Sequence, residues 1–323
     1  MPHSLKFGLI GAARIARKAH IPGFLNANQA VLHGITSRDL EKSRSWAQEC
    51  SIPKVYPTYD EMLADPEIEA VLICLVHTHH AEWVIKALAA GKHVLCEKPM
   101  APHQAEVEAM CRAAQSHNRL LMEAFHHRLS PQFDFVDDLL ERGEIGEIKI
   151  IRSELTYPID QWDGDTRTDP SLDASVLLEA GCYCVNTIRH FMGSEPIEMK
   201  ACAGFHQPGH FDSTLSAVMK FSRERTALMH TSMEAPFRAT CEIIGTQGRI
   251  EMPELFTGSK ILITRGTQSK VKSFPVIDRF AAQLDHFIDC VRGNATPRVS
   301  LTDSLGNIAV IEQLLQSAGV RSA

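Results

Sequence analysis

No CxxC pair, no basic balance and no apolar run of membrane-spanning length occur in this chain. The nine cysteines lack the paired spacing of a zinc ribbon or a dithiol redox centre. Several of them (Cys74, Cys96, Cys290) sit in apolar runs, as reduced, buried thiols of a cytoplasmic protein do. The net charge of -6 excludes the electropositive footprint of a nucleic-acid or acidic-membrane binder. No stretch approaches the roughly 20 apolar residues that cross a bilayer. Phe7-Gly8-Leu9-Ile10 is too short for the apolar region of a secretory leader and runs directly into a turn. Internal repeats and low-complexity linkers are missing as well. What is there is ordinary for globular proteins: 44% hydrophobic and 22% charged residues among 323, enough for two domains.

The first part of the chain alternates short apolar segments with amphipathic ones. Strands are expected at Leu5–Ile10, Ala30–Ile35, Ile68–Val76, His93–Cys96 and Leu120–Ala124. Helices are expected from about Arg14, at Asp39–Cys50, Tyr59–Ala64, Ala81–Ala90 and Gln104–Ser116, with Pro102 near the start of the last. This alternation implies a parallel sheet covered on both faces. From about Phe125 the pattern changes. A helix is expected at Pro131–Arg142, a strand at Glu147–Leu155, a polar stretch at Asp160–Asp173 and a helix at Ser175–Phe191. Sequential strands follow at Ile197–Ala203, Thr214–Phe221, Thr226–Ser232, Thr240–Ile244 and Lys260–Thr264, which imply an antiparallel sheet. Helices at Arg279–Val291 and Ser304–Ser317 close the chain. The expected fold class is α/β. A doubly wound parallel sheet over residues 1–125 precedes a C-terminal α+β domain over residues 126–323 with a large open, mostly antiparallel sheet.

Gly11-x-Ala13-x-x-Ala16 occupies the place of a G-x-G-x-x-G/A dinucleotide fingerprint. Gly11 permits the tight turn, Ala13 keeps the backbone near a pyrophosphate, Ala16 packs the helix on the strand, and the helix N-terminus attracts phosphate. The second glycine is missing, so context carries the reading: strand, turn and helix in that order. Where NAD sites usually place an acid after the second strand, this chain has Ile35-Thr36-Ser37-Arg38. A hydroxyl and a guanidinium there suit a 2′-phosphate, hence NADP with NAD as the other candidate. The competing reading makes Arg38 a solvated residue at a helix start. Gly91-Lys92-His93-Val94-Leu95-Cys96-Glu97-Lys98-Pro99 sets Lys98 at the end of a short apolar strand, either as a catalytic amine or as the partner of Glu97.

These segments, with Met122-Glu123-Ala124-Phe125, Arg167-x-Asp169-Pro170-Ser171-Leu172, Leu177-Leu178-Glu179-Ala180-Gly181-Cys182-Tyr183 and Gly245-Thr246-x-Gly248-Arg249-Ile250, resemble the Gfo/Idh/MocA oxidoreductase family along nearly the whole length. Within it they resemble the dihydrodiol and D-xylose dehydrogenase branch. The resemblance implies an N-terminal Rossmann domain, an open sheet that makes a homodimer or homotetramer, and an NAD(P)-dependent dehydrogenase or reductase acting on a sugar, cyclic polyol or dihydrodiol. It carries the lysine of the Glu-Lys-Pro segment onto Lys98, the catalytic tyrosine onto Tyr183 and the acid four residues earlier onto Glu179. It sets the cofactor against Gly11, Ala12, Ala13, Arg14 and Ile15, against Leu75, His77 and His80, and against Glu97, Lys98 and Arg167. Two departures stand out. Asp173-Ala174-Ser175 replaces three glycines usual in the branch, and Leu75-Val76-His77 replaces a common Thr-Pro-Asn.

In this reading Tyr183 is the general acid or base. The phenol of a free tyrosine titrates near pH 10, and a neighbouring ammonium from Lys98 favours its phenolate. Glu179 shares its helix face at i,i+4. The alternatives are a core aromatic for Tyr183, a solvated helix residue for Glu179, and a simple pair with Asp169 for Arg167. A zinc site from His77, His79, His80, His126 and His127 lacks both the H-x-x-x-H spacing and a carboxylate partner; no metal is expected. A nucleotide-binding sensor that has lost catalysis is the alternative of another class.

Overall fold

The computed structural model describes residues 4–206 and 211–321. The chain divides into two compact units. One comprises Met1–Leu129 and Ile277–Leu305, the other Ser130–Val276 and Gly306–Ala323. This differs from the expected division at 125/126, because a segment near the C-terminus returns to the first unit.

The first unit holds a six-stranded sheet of β1 (Leu5–Ile10), β2 (Ala30–Thr36), β3 (Lys54–Val55), β4 (Ala70–Ile73), β5 (His93–Cys96) and β6 (Leu121–Glu123). The order is β3-β2-β1-β4-β5-β6, and every pairing is parallel. β4 is buried at every position and β1 at all but one, as a sheet covered on both faces requires. The strand order reverses between β1 and β4, the place where open α/β sheets bind ligands at the C-terminal strand ends. The connecting helices are α1 (Ile21–Asn26), α2 (Leu40–Cys50), α3 (Tyr59–Ala64), α4 (His80–Ala89) and α5 (Gln104–His117). Asp39 caps α2 by accepting from Lys42 N, and Thr58 caps α3 by accepting from Glu61 N; each satisfies an amide with no partner inside the helix. Leu120 and Ala124 fall outside β6, and Pro102 lies two residues before α5.

The returning segment explains the division. Phe7 on β1 packs edge-on to Phe24 at 5.2 Å and against Phe287 at 5.6 Å. Leu284, Phe287 and Ile288 join Leu5, Phe7, Leu9 and Ile35 in one buried cluster. Gly23 lets the later helix approach, since a Cβ there would lie 2.8 Å from Phe280 Cβ.

The second unit contains α6 (Pro131–Glu141), β7 (Ile148–Thr156) and α7 (Cys182–Met192), then β8 (Glu198–Phe205), β9 (Asp212–Phe221), β10 (Arg225–Ser232), β11 (Arg238–Gly245), β12 (Arg249–Met252), β13 (Lys260–Arg265) and β14 (Gln268–Ser273). The eight-stranded order is β14-β13-β12-β11-β7-β10-β9-β8. β7 and β10 run parallel and the other pairings are antiparallel. The parallel pair needs a long crossover, and the segment carrying α7 provides it. The short β12 and the fully exposed β14 were not anticipated, because β14 carries no apolar alternation. α8 (Arg279–Val291) and α9 (Leu301–Ser317) end the chain.

One buried carboxylate holds the start of the helical segment that leads into α7. Ser175 Oγ accepts from Leu177 N at 3.1 Å and donates to Asp212 Oδ2 at 3.0 Å. Burial pushes the Asp212 carboxyl up to about 7, against hydrogen bonds from Ser175 and from backbone amides. An unfolded aspartate ionises near pH 4. Between about pH 4 and about pH 7 the folded chain therefore holds a proton that the unfolded chain has lost, and stability falls as pH rises through that window. Asp212→Asn removes this slope. Urea midpoints taken at both ends of the window should converge in the variant and differ in the parent; equal differences in both proteins would place the slope elsewhere.

Candidate active site

The turn after β1 is built to bring backbone close to a ligand or a neighbouring strand. Gly11 has φ of 102°, and its N donates to Thr36 O at 2.9 Å. A Cβ there would lie 2.3 Å from Cys74 O and 3.0 Å from the Leu75 side chain. Only glycine fits such a position. Ala12 and Ala13 are half-buried, Arg14 is exposed, and Ile15 keeps 37% of its surface open. An apolar side chain left open beside a glycine turn, at the C-terminal edge of a parallel sheet, suits a dinucleotide lying over it. The helix that follows is not regular. Ala16–His20 forms a π turn that buries both Ala16 and His20, an irregularity often found at functional sites.

The end of β2 departs from expectation. Ser37 is buried, and its hydroxyl donates to Asp39 O at 2.7 Å and meets Ser43 Oγ at 2.7 Å. That proton is committed to the start of α2, so Ser37 braces the loop. Arg38 is exposed, and its charge acts on Tyr59, whose phenol is pushed up by burial and pulled back by Arg38.

Lys98 follows β5 on a loop pinned by four buried side chains, His20, His80, Glu97 and Glu123. Glu97 Oε1 lies 2.5 Å from His20 Nε2, and Glu97 Oε2 accepts from Lys98 N at 3.1 Å. Glu123 on β6 accepts from Met100 N at 2.9 Å. His80 Nδ1 lies 3.0 Å from Pro99 O and 3.2 Å from Met100 O, and its Nε2 lies 3.0 Å from Leu75 O. The Lys98–Pro99 peptide is cis. Lys98 itself is half-buried. Burial pushes the Glu97 carboxyl up, but the His20 hydrogen bond, the neighbouring His20 and His126 rings and the Lys98 charge outweigh it and leave the group below its ordinary value. Burial pulls the His80 ring down, against the pull of those carbonyls, and takes His126 to about 3. Glu97 and His80, expected to face the cofactor, are thus interior braces of the loop. His77 is buried in the turn His77–His79, and Leu75 is half-buried beside Gly11. Among the described residues, no three His, Cys, Asp or Glu side chains converge on a point that would hold a metal.

In the second unit Tyr183 lies in α7, buried, with its ring edge-on to Phe256 at 4.9 Å. Glu179, half-buried, lies in a second π turn, Leu177–Gly181, that leads into α7. Residues Glu179 and Tyr183 therefore share a face through a wider turn than i,i+4 α geometry assumes. Gly181 allows this segment to seat on the sheet: a Cβ would lie 3.2 Å from Met229 Cε and 3.2 Å from Thr231 Cγ2. Arg167 pairs with Asp165, not Asp169, through Nε at 2.9 Å and Nη2 at 2.7 Å. Asp165 holds its guanidinium well above the ordinary range, with Tyr157 and Glu179 adding to the effect. Asp169 instead accepts from Ser171 N and Ser171 Oγ. Arg167 also lies over the Tyr157 ring at 5.6 Å. Sequence reasoning missed Tyr157, His20, Asp165 and Asp212. Glu123 stood within a quoted motif but had no role, and nothing in the spacing of the other four marks them out.

The Asp173-Ala174-Ser175 departure now has a local account. Asp173 has φ of 53°, a conformation glycine enters freely and aspartate tolerates. Its carboxylate accepts from Arg321 Nη2 at 3.5 Å, and Ser175 serves the helix start already described.

Family comparison agrees with this geometry. Residues 5–125 match a model described as "Oxidoreductase family, NAD-binding Rossmann fold", and residues 133–251 match the GFO/IDH/MocA C-terminal domain. A trans-1,2-dihydrobenzene-1,2-diol dehydrogenase of Xenopus laevis is 30% identical, covering 98% of each chain. A D-xylose 1-dehydrogenase (NADP(+)) of Haloferax volcanii is 29% identical, covering 99% of each. Among solved structures, a 3-ketoreductase from Actinomadura kijaniata in complex with NADP superposes with a TM-score of 0.90 at 26% identity, covering 98% of each chain; variants of that enzyme with a lysine or a tyrosine replaced are also solved. Both halves and nearly the whole length agree: the chain belongs to the Gfo/Idh/MocA family of NAD(P)-dependent oxidoreductases.

Proposed function

We propose that this enzyme interconverts a secondary alcohol and a carbonyl on a sugar, cyclic polyol or dihydrodiol, with NADP as the preferred dinucleotide. The observation that carries the reading is the half-buried Lys98 on a loop pinned by His20, His80, Glu97 and Glu123. So much buried polar bonding around one lysine backbone is a cost that a surface lysine has no use for. When bound, the nicotinamide supplies the hydride acceptor or donor. The backbone around Gly11 and the exposed Arg14 and Ile15 would hold its pyrophosphate side, and Arg38 the 2′-phosphate. Lys98 orients the reacting oxygen and favours its anionic form. In the second unit Tyr183 is the group to hold or give up a proton, and Glu179 with Arg167 sets the charge on that side. The substrate classes are those of the dihydrodiol and xylose dehydrogenases to which the chain is similar.

The outer face of the eight-stranded sheet supports self-association as a homodimer or homotetramer. Val218 and Leu228 project from it with 51% and 40% of their surface open, among the paired charges Arg152–Glu242 and Arg238–Glu154. The absence of disulfides among the nine cysteines supports a reducing, cytoplasmic setting. Among the described residues no helix is long and apolar enough to cross a membrane.

A panel of sugars, inositols and diols, read by absorbance of the reduced nicotinamide, tests the activity. Lys98→Ala should lower kcat by about 10²–10⁴-fold, as should Tyr183→Phe, with dinucleotide affinity changed by less than about threefold. Full activity in Tyr183→Phe would remove the phenol from the reaction. Arg38→Ala should raise KM for NADP about tenfold and leave KM for NAD unchanged; equal effects on both would withdraw its 2′-phosphate role. The double variant Val218→Glu, Leu228→Glu should sediment as a monomer, whereas an unchanged assembly would move the interface off this face.

A further inference from the structure

His20 belongs to none of the motifs from which the active-site reading was built. It ends the π turn after the Gly11 loop, and its side chain is wholly buried. Nε2 lies 2.5 Å from Glu97 Oε1, while Nδ1 is buried with no hydrogen-bond partner. A buried N–H without an acceptor is costly, whereas an unused ring lone pair is not. The proton therefore sits on Nε2 and is donated to the carboxylate. Phe280 fixes the ring from the side, edge to face at 4.9 Å, and lies tilted against His126 at 4.5 Å. Around Glu97 the other charged or titratable groups among the described residues are Lys98, His80, His126 and the thiols of Cys74 and Cys96, with Arg279 beyond His126 and Glu123 beyond Cys96. A carboxylate in such a place stays ionised only while donors reach it. Besides His20, the donor to it is the Lys98 amide itself, at 3.1 Å.

We propose that His20 is a positioning residue for Lys98: it keeps the interior Glu97 carboxylate ionised, and that carboxylate anchors the Lys98 backbone and supplies the counter-charge of its ammonium. The proposal rests on the reading of Lys98 as catalytic. It also ties the helix leading from the dinucleotide turn to the lysine through a single hydrogen bond. Without His20 the buried Glu97 takes up a proton, and Lys98 loses the negative charge of its neighbour Glu97.

The test compares His20→Phe, His20→Gln and Glu97→Gln with the parent, and Lys98→Ala as reference. In the protein without dinucleotide, the pH of half-maximal acylation of Lys98 by acetic anhydride is read by peptide mass spectrometry. It should fall by about one unit in His20→Phe and in Glu97→Gln, and by less than about 0.3 unit in His20→Gln, whose amide can still donate. Turnover should fall about tenfold or more in His20→Phe, with KM for the dinucleotide within about threefold, and return to within about threefold of the parent in His20→Gln. Thermal unfolding confirms that each variant is folded; should His20→Phe not fold, Glu97→Gln alone decides. An unchanged acylation midpoint in a folded variant overturns the proposal. Full turnover in Lys98→Ala would remove the catalytic reading of the lysine while the acylation result still judged the link from His20.

Discussion

A carboxylate taken out of water must find donors or give up its charge, and the surroundings of Glu97 answer that demand. His20 comes from the first helical segment and the Lys98 amide from the next peptide; His80 and Glu123 then secure the peptides that follow. None of these side chains needs to touch a ligand for the site to depend on them. Buried polar groups bonded to one another rigidify their neighbourhood, since moving any one leaves another stranded. The lysine at the sheet edge is thus held as part of the interior, although its own side chain is only half enclosed.

The same logic recurs where α7 begins. Ser175 and Asp212 satisfy the first amides of the segment that carries Glu179 and Tyr183, and Gly181 lets it lie close to β10. The departure from the glycine-rich pattern of the branch is therefore a change of means. One backbone made permissive by missing side chains has become one held by a hydroxyl and a carboxylate. The left-handed turn at Asp173 survives because aspartate, unlike bulkier residues, accepts that conformation.

Much of the fold could be read from the residues. Continuous apolar strands separated by amphipathic helices led directly to a parallel sheet, and the limits of the helix at Arg279–Val291 were read to the residue. Two kinds of feature escaped. The π turns at Ala16–His20 and Leu177–Gly181 have no periodic signature, because one extra residue in a turn looks the same in a sequence as a regular helix. Partners far apart in the chain escaped as well. Arg167 was read either as a cofactor contact or as a partner of its neighbour Asp169, whereas its fork closes on Asp165. Ser37 looked like a phosphate ligand until its hydroxyl was seen bonded to Asp39. His80 and Glu97 were read as cofactor contacts, and their side chains bond to His20 and to the backbone around Lys98 and Leu75. Which way a side chain points is decided by packing, and a linear pattern does not carry that information.

The first unit is discontinuous in the chain, and this governs when it can form. During synthesis, β1 to β6 emerge long before α8, so Phe7 and Phe24 stay without their aromatic partner while the whole second sheet is being made. Until α8 emerges that apolar surface lacks its last cover, the kind of exposed apolar face that is prone to stick elsewhere. Closure of the nucleotide-binding core is then one of the last events in the maturation of the molecule, although its strands are the first to appear.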